Sequence, residues 1–249
     1  MSEVVFDIYS QYYDLLYNDK DYKKECEYIN SLLNRFGVFK ANILEFGSGT
    51  GKHGALLAEL GYTVDGVELS EKMVRKIKAH PRFTCVQGDI SKINLGKSFD
   101  IILSLFHVMN YQTTNDQLKL VFANAARHLN SKGLFIFDFW YSPAVYANRP
   151  SVKIKRVRNK KIEIIRIAEP TVYDKKKIVD VNYLFFVENL ATGSIKKFNE
   201  VHKVRHFNLS EIKNFADMQG FELINSEEFI TGSKLSNKTW SGCVALKKK

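Results

Sequence analysis

Short apolar segments alternate with amphipathic helical segments along residues 42–140. The apolar segments have the length of buried strands, from NILEF at residue 42 to GLFIFDFW, which ends at residue 140. Strands that alternate with helices need crossover connections, which produce a mostly parallel sheet covered by helices on both faces. This region therefore predicts a doubly wound α/β core.

After Trp140 the alternation stops, and the sequence predicts an inserted unit. Residues 152–206 divide into three extended segments, which favour an antiparallel meander. The turn signals between these segments are Glu169-Pro170 with Asp174, and Ala191-Thr192-Gly193. Helical spacing returns at residue 208, with Ser210 as a candidate cap, and two more strands follow.

The N-terminal residues predict a cap on the core. In residues 19–37, apolar residues recur at helical spacing, and this pattern ends at Gly37. An aromatic segment precedes them. We therefore expect a core of residues 1–140 and 208–249, with an N-terminal cap at 1–37. Residues 141–207 would form an antiparallel insertion for substrate binding or oligomerisation.

Composition excludes several classes of protein. The chain has 249 residues, of which 45% are hydrophobic and 26% charged, as expected for one large folded domain. No apolar run is long enough to cross a membrane, and the N-terminus does not resemble a secretion signal. The three cysteines form no CxxC pair, so neither a disulfide framework nor a metal site is predicted, and a reducing cytoplasm is expected.

The net charge of +10 is confined to the second part of the chain. Residues 1–140 hold 16 basic and 16 acidic residues, whereas residues 141–249 hold 21 basic and 11 acidic residues. This asymmetry favours an anionic partner, such as a phosphorylated small molecule, a nucleic acid or a membrane surface. A solvated lysine face is the alternative.

A glycine-rich turn follows the first predicted strand and leads directly into a helix. Glycine allows a sharp turn and close approach to a ligand, and free N–H groups at a helix start attract polar or anionic groups. The spacing is GxGxG, with Lys52 where a dinucleotide-binding loop would carry the last glycine of GxGxxG. Tight turns also use glycine without a ligand. The candidate cofactor-binding residues here are Glu45, Gly47, Ser48, Gly49 and Gly51.

Acidic residues follow the second and third predicted strands. Glu68 lies 21 residues after Gly47, where nucleotide-binding α/β folds place a carboxylate against ribose hydroxyls. Charge-assisted hydrogen bonds of this kind contribute about 1.5–3 kcal/mol each. Asp89 is expected to accept a hydrogen bond from an adenine amino group, and Ile90 is expected to pack on the adenine ring. Leu69 is a further candidate cofactor-binding residue. Taken singly, Glu68 would be a helix-start charge and Asp89 a turn residue.

This ordered set resembles the class I S-adenosylmethionine-dependent methyltransferases. The resemblance covers residues 42–140 and 208–249, and it implies a Rossmann-like, mostly parallel seven-stranded sheet with S-adenosyl-L-methionine as cofactor. Within that superfamily the chain is most similar to the N-methyltransferases of nucleotide-linked deoxyamino sugars, through YDLLYNDKDYKKE, GVELSEKM and Glu200-Val201-His202. Those enzymes carry an antiparallel insertion after the fifth strand, as residues 141–207 are expected to do.

The loop after the fourth strand is expected to face the methyl group, because ligands of open α/β sheets bind beyond the carboxyl ends of the strands. Leu105 is assigned by the resemblance to the cofactor. His107 and Tyr111 are candidate acceptor-side bases or hydrogen-bond partners, and the related sugar enzymes tend to have a histidine where Tyr111 stands. His202 is a further base candidate. The alternative for His107 and Tyr111 is that they are only packed aromatic side chains of the loop. The alternative for His202 is a structural histidine.

Aromatic and basic residues outside the core complete the predicted site. The resemblance implies that the leading segment closes over the cofactor, with Tyr13 and Tyr22 on the cofactor and Tyr17 on the acceptor. An aromatic face near a sulfonium contributes about 0.5–2 kcal/mol. Trp140 is expected to line the acceptor pocket. Cations of the insertion would hold a diphosphate, although strand alternation puts only some of them on the ligand side. The candidates are Arg156, Arg158, Lys160 and Lys161.

The predicted function is methyl transfer to nitrogen or oxygen of a small, phosphorylated or nucleotide-linked sugar-type metabolite, in cell-surface polysaccharide or secondary-metabolite biosynthesis. The alternative is an RNA- or protein-directed methyltransferase that uses the basic second half. Against nucleic acid, the chain has SLFHVMNY where base-methylating enzymes usually carry [DN]-P-P-[YF], and no stacking aromatics are interleaved with the basic run. A cofactor-binding regulator is a third interpretation. No membrane association is expected, and a homodimer is a possible assembly.

Overall fold

A computed structural model describes residues 9–249 of the chain, and its larger sheet contains seven strands. These strands are β1 (Asn42–Phe46), β2 (Thr63–Glu68), β3 (Phe83–Gln87), β4 (Phe99–Ser104), β5 (Leu129–Trp140), β10 (Phe221–Glu228) and β11 (Ser241–Lys248). Their order is β10-β11-β5-β4-β1-β2-β3. Strands β1 to β5 are parallel, and β11 is antiparallel to both neighbours. The predicted doubly wound, mostly parallel α/β sheet is confirmed.

Helices cover both faces of this sheet. The α-helices of the described residues are α1 (Tyr9–Leu16), α2 (Tyr22–Arg35), α3 (Lys52–Glu59), α4 (Glu71–Val74), α5 (Asn115–His128), α6 (Ser142–Ala147) and α7 (Leu209–Met218). Helices α2, α3, α5 and α7 supply the apolar layers on the sheet, whereas α1 and α6 pack on the insertion. One apolar layer includes Phe122 of α5 and Phe215 of α7, and the opposite layer includes Ile29 of α2 and Leu57 of α3. Within residues 9–249, no helix has the length and apolar character required to span a membrane.

Local signals explain most helix boundaries. The side chain of Asp21 accepts a hydrogen bond from Lys24 N (2.9 Å) at the start of α2, which ends just before Gly37, as predicted. A capping box between Thr114 and Gln117 begins α5. One expectation differs from the structure, because the cap position of α7 is Asn208 instead of Ser210.

The insertion is a separate four-stranded antiparallel sheet. Its strands are β6 (Lys153–Arg158), β7 (Ile162–Tyr173), β8 (Ile178–Asn189) and β9 (Ile195–Arg205), in the order β6-β7-β8-β9. The expectation of three segments was wrong, because a tight turn at Asn159 divides the first one. The Asn159 side chain accepts hydrogen bonds from Lys161 N (2.8 Å) and Ile162 N (2.9 Å) and fixes this turn.

The predicted turn at Glu169-Pro170 is also absent from this sheet. Pro170 lies within β7 and is paired with Val181 of β8. Strand β6 pairs with β7 only as far as Ala168, so Pro170 has no neighbouring strand on its other side and its missing N–H costs no ladder hydrogen bond. The chain turns at Asp174 and again near Gly193, as the other signals predicted.

The two ends of the insertion lie side by side. Tyr141 and Phe207 form a parallel bridge, Ser142 N donates to Phe207 O (2.9 Å), and Phe207 N donates to Trp140 O (2.9 Å). The insertion therefore leaves and re-enters the core at one place, directly beyond the carboxyl end of β5.

Candidate active site

The glycine loop between β1 and α3 turns through three residues with positive φ: Gly47 (76°), Gly49 (56°) and Gly51 (78°). A Cβ on Gly51 would lie 2.6 Å from the Phe83 ring, so packing requires glycine there. A Cβ on Gly49 would meet nothing within 4 Å. The loop is thus packed against the core at Gly51 and open at Gly49, where a ligand can approach the backbone.

Glu68 lies beside the open part of this loop, at the end of β2. Its Oε2 accepts a hydrogen bond from Gly49 N (2.9 Å), and its Oε1 accepts one from Ser70 N (2.8 Å). Burial raises the pKa of Glu68, and the two backbone N–H groups act in the opposite direction. The carboxylate therefore holds the glycine loop, and each of its oxygens keeps a further lone pair. The contact with ribose hydroxyls stays a prediction.

Glu45 of β1 lies under the same loop with a carboxylate oxygen unused. Its Oε2 is buried and has no hydrogen-bond partner among residues 9–249. Burial raises the pKa of Glu45, and the nearest cationic candidate is His53, whose Nδ1 is 3.9 Å from Oε1. His53 is itself bonded to Glu25 (2.6 Å). A buried carboxylate oxygen without a partner fits a ligand that carries an ammonium group, as S-adenosylmethionine does.

The predicted adenine contacts lie at the ends of β2 and β3. Asp89 Oδ1 accepts hydrogen bonds from Ser91 N (2.8 Å) and Ser91 Oγ (2.7 Å), which lower the pKa of Asp89 against the effect of burial. Ile90 is buried in the core layer of α5, whereas Leu69 is 68% exposed. The structure leaves Leu69 as an uncovered apolar side chain directly after Glu68, and the adenine contacts remain predictions.

Helix α1 connects the glycine loop with the insertion. Thr50 Oγ1 donates to Asp14 Oδ1 (2.9 Å), which fixes the helix to the loop. On its other side, Tyr17 Oη lies 2.7 Å from Tyr9 Oη, and both hydroxyls accept from Arg166 of β7 (3.3 Å each). The leading segment is thus bonded both to the glycine loop and to the insertion. Its closure over the cofactor stays a prediction.

The three predicted tyrosines of the leading segment occupy different positions. Tyr13 and Tyr17 contact each other (4.8 Å between ring centroids) and face Phe106, at 6.5 and 5.1 Å. Tyr22 instead packs on His53 (4.9 Å). Tyr13 and Tyr17 therefore form an aromatic wall on the loop after β4, and Tyr22 lies beside the buried Glu25–His53 pair.

The loop after β4 has an unusual backbone. Leu105 is buried among core residues, and the next two residues, Phe106 (61°) and His107 (66°), both have positive φ without being glycine. Such backbone conformations cost about 1–3 kcal/mol each and cluster at functional sites. The loop therefore holds Phe106 and His107 in strained positions at the carboxyl edge of the sheet.

His107 is attached to the end of β5. Its backbone N donates to Asp138 Oδ1 (3.0 Å), and its Nδ1 lies 3.0 Å from Asp138 Oδ2. Its ring lies 6.2 Å from that of Trp140 and 5.9 Å from that of Phe106. The imidazole is thus set between two aromatic rings, and one quarter of its side chain remains accessible.

Tyr111 and His202 meet in one hydrogen-bonded chain. Tyr111 Oη lies 2.8 Å from His202 Nδ1, and His202 Nε2 lies 3.2 Å from Glu200 Oε1. His202 is almost fully buried, and burial raises the pKa of Tyr111 well above its ordinary value. The chain joins the loop after β4 to β9, so two of the three candidate bases are engaged with each other.

The face of the insertion sheet that carries His202 also carries Arg166 and Lys155. Register places Arg166 opposite Lys155 on β6 and Phe185 on β8. Arg166 is half-buried, its guanidinium carbon lies 5.0 Å from the Tyr183 ring centroid, and its buried Nε has no partner among the described residues. A guanidinium with an unused donor beside tyrosine hydroxyls fits an anionic ligand group.

Arg156 and Arg158, predicted to bind the substrate, lie on the opposite face of this sheet. Both form ion pairs with Glu163, at 3.3 and 3.8 Å. Alternation along β6 turns them away from Lys155, whose Nζ bonds Asp19 (2.6 Å) beside α1. The structure thus brings Lys155 and Arg166 to the site in place of the two predicted arginines.

Trp140 lies where the core meets the insertion, and its role as a wall of the acceptor pocket stays a prediction. It packs against Trp240 (5.7 Å) and belongs to an apolar cluster with Tyr111 and Ala168. Asp138 and Arg166 are site residues that the sequence argument missed. The signal for Asp138 was available, since one carboxylate interrupts the apolar strand GLFIFDFW.

Comparison with known proteins agrees with this geometry. The methyltransferase domain family matches residues 43–133. The chain is 29% identical over 203 residues to the dTDP-3-amino-3,4,6-trideoxy-alpha-D-glucopyranose N,N-dimethyltransferase of Streptomyces venezuelae, covering 80% of this chain and 84% of that protein.

Solved structures share the whole fold. The crystal structure of Streptomyces venezuelae DesVI superposes with a TM-score of 0.79 at 23% identity, covering 96% of this chain and 98% of that one. S-adenosylmethionine-bound CalS10 of Micromonospora echinaspora, an amino pentose methyltransferase, gives a TM-score of 0.76 at 20% identity, with both chains fully covered. The chain therefore has the class I methyltransferase fold, and its matched methyltransferase domain contains the Gly49–Glu68 site, whose donors and acceptors fit S-adenosylmethionine.

Proposed function

We propose that this methyltransferase transfers methyl groups to the amino group of a nucleotide-linked amino sugar. The observation that carries the proposal is Arg166, a half-buried cation with an unused Nε, on the same sheet face as His202. Helix α1, which bonds both Arg166 and the glycine loop, has eight residues and therefore a length of about 12 Å. A diphosphate at Arg166 would place its sugar between the insertion and the cofactor loop.

The relatives favour nitrogen as the acceptor atom. The similar Streptomyces venezuelae enzyme is named as an N,N-dimethyltransferase of a dTDP-linked amino sugar, and the similar CalS10 is described as an amino pentose methyltransferase. We propose that the methylated sugar enters a secondary metabolite or a cell-surface polysaccharide, and that the reaction takes place in the cytoplasm. In this assignment the positive charge of the insertion binds a diphosphate, so no nucleic-acid partner is needed to explain that charge.

The chain's own residues supply positioning and a proton acceptor. S-adenosylmethionine brings a methyl group that is already activated by its sulfonium, so the protein must align the acceptor, exclude water and remove one proton. The aromatic wall of Tyr13, Tyr17 and Phe106 excludes water on one side, and Trp140 does so on the other. The imidazole of His107 accepts the proton that the amine loses when its lone pair forms the new C–N bond.

A screen of acceptors tests the proposal directly. Purified protein with S-adenosylmethionine is offered dTDP- and UDP-linked amino sugars, their hydroxyl counterparts and an RNA pool, with S-adenosylhomocysteine release and product mass as readouts. We expect transfer to the amino sugar nucleotides with weak dependence on salt, since one diphosphate in a pocket releases few counterions. Transfer only to RNA, with a steep loss of activity as salt rises, would establish the alternative function.

Cofactor preference gives a second expected result. Isothermal titration calorimetry should show micromolar binding of S-adenosylmethionine and S-adenosylhomocysteine and no binding of NAD. The physical reason is the GxGxG spacing, with Lys52 at the position where dinucleotide-binding loops need glycine. Binding of NAD without a response to S-adenosylhomocysteine would contradict the cofactor assignment.

Arg166 should determine the affinity for the acceptor. Arg166→Gln removes a charge-assisted bond to phosphate of about 1.5–3 kcal/mol, so KM for the nucleotide sugar should rise about 10- to 150-fold. Affinity for S-adenosylmethionine should stay near that of the wild type. The matched control is Arg156→Gln, on the outer face of the same sheet and paired with Glu163. Equal KM changes in the two variants would show that Arg166 does not bind the acceptor.

A further inference from the structure

Asp138 is a fully buried carboxylate in an otherwise apolar strand. Burying a charge is costly unless partners compensate for it, and a residue that only filled space in β5 would be apolar. Two of its donors come from one residue, since His107 supplies both its backbone N and its ring Nδ1 at 3.0 Å. Ser241 Oγ adds a longer contact of 3.4 Å. Most of the hydrogen bonds that Asp138 accepts therefore come from His107.

The ionised form of Asp138 is favoured at neutral pH. Burial acts to raise the pKa of Asp138, but the electrostatic interaction with His107 and the two hydrogen bonds from that residue outweigh burial and hold the pKa below its usual value. An ionised carboxylate can only accept hydrogen bonds. The proton between His107 and Asp138 must then lie on Nδ1, which leaves Nε2 of a neutral ring without a proton.

The same contacts fix the orientation of the ring. His107 has a positive φ of 66°, and the preceding Phe106 has 61°, so this backbone would relax without an external restraint. The bond from His107 N to Asp138 Oδ1 is such a restraint, because it ties the strained residue to the end of β5. One carboxylate thus holds the backbone through one oxygen and the ring through the other.

We infer that Asp138 is the positioning residue of this methyltransferase, which keeps His107 in the Nδ1–H tautomer with Nε2 directed to the acceptor. The inference rests on the proposed function, in which His107 accepts the proton of the amine. Among the described residues, the hydrogen bonds and the ion pair of Asp138 go to His107 and Ser241 and not to the glycine loop. A buried carboxylate that orients an imidazole and sets its tautomer is a general arrangement of catalytic bases.

The tautomer can be measured without turnover. Protein labelled with ¹⁵N-histidine is studied by long-range ¹H–¹⁵N correlation over a pH series up to about 9, where a neutral imidazole is observed, and His107→Gln assigns the signals. We expect a neutral His107 ring with its proton on Nδ1. In Asp138→Asn, the new amide can donate to Nδ1, so the proton should move to Nε2. A wild-type ring protonated on Nε2, or on both nitrogens throughout, would overturn the inference.

Kinetics give the matching functional readout. Asp138→Asn should lower kcat by about 10- to 10³-fold, within the range of a misplaced acid–base group, with KM and cofactor affinity near wild-type values. Asp100→Asn is the matched control, because Asp100 bonds Asn42 N and Asn130 at the other end of β4. The control should retain wild-type kcat. Unchanged kcat in a folded Asp138→Asn variant whose tautomer has switched would also overturn the inference.

The two hypotheses fail in different ways. If the tautomer switches as expected but His107→Ala retains full turnover, the proposed role of His107 in catalysis is wrong and Asp138 is only a structural partner. If His107→Ala is inactive but the wild-type ring carries its proton on Nε2, His107 remains the proposed base and Asp138 does not set its tautomer. The tautomer spectrum of the wild type is decisive by itself, so the test does not depend on variants that fold.

Discussion

Replacing His107 with alanine is expected to lower kcat for the amino-sugar acceptor by about 10²–10⁴-fold, the usual contribution of a positioned acid–base group. Affinity for S-adenosylmethionine should change far less, because the ring contacts Asp138, Phe106 and Trp140 and not the glycine loop. Single-turnover rates and calorimetric cofactor titrations measure the two quantities separately.

Comparison variants separate a base from a residue that only orients the acceptor. Tyr111→Phe should lower kcat by about tenfold or less, since the hydroxyl is bonded to His202 and its raised pKa makes it a poor base at neutral pH. His80→Ala, in the turn before β3, is the matched control for loss of a histidine and should retain wild-type turnover. Full turnover in His107→Ala, Tyr111→Phe and the double variant would show that this loop does not face the methyl group.

Replacing Glu68 with alanine is expected to weaken S-adenosylmethionine binding by about 1.5–3 kcal/mol, or roughly 10- to 150-fold in Kd. The loss has two physical sources. The ribose loses its carboxylate acceptor, and Gly49 N and Ser70 N lose the group that holds the loop. Glu68→Gln, which keeps one acceptor oxygen but no charge, should give an intermediate Kd.

Acidification should reproduce part of this effect. Burial raises the pKa of Glu68, so on lowering the pH its carboxylate takes up a proton before an exposed glutamate would. Cofactor affinity should therefore be highest above that raised pKa and should fall as the pH drops through it. In Glu68→Gln, which has no carboxylate at this position, this fall should be absent. Asp65→Ala is the control, because Asp65 of the same strand bonds Thr84 and Lys97. An unchanged Kd in folded Glu68→Ala would show that Glu68 does not bind the cofactor and is only a charge at the start of a helix.

The cofactor half of the site was predictable because its signals are local. A strand, a glycine turn and a helix follow one another within residues 42–59, and Glu68 ends the next strand. Parallel strands bring their carboxyl ends to one edge, so the spacing of Glu45, Gly49 and Glu68 along the chain determines their proximity in space. No distant contact is needed to place them.

The acceptor half depends on strand register, which the sequence does not show. A single long first segment gives no reason to prefer Arg156 over Lys155, whereas the turn at Asn159 creates a hairpin whose alternation puts Lys155 and Arg166 together. A shift of one residue would exchange the two faces. The predicted residues are cations, as Lys155 and Arg166 are, but the face of the sheet on which they lie depends on this turn.

Residues far apart in sequence set the chemistry of the loop after β4. His107 is joined to Asp138, and Tyr111 is joined to His202, 91 residues away. The candidate bases were recognisable by residue type and by their place after β4. Their partners followed only from the packing of β5 and β9 against that loop.

The adjacent ends of the insertion make residues 142–206 separable from the core sheet that carries the glycine loop. Because Tyr141 and Phe207 are paired, a foreign sheet with closely spaced termini can replace residues 142–206 without altering the strand order of the core. Helix α1 sets the condition for such an exchange. Its Tyr9 packs on Tyr183 and Phe185 of the insertion, while Asp14 holds Thr50 of the cofactor loop. The unit of exchange that would carry acceptor specificity from one methyltransferase to another is therefore the insertion together with α1, two pieces distant in the gene that must be transplanted as one.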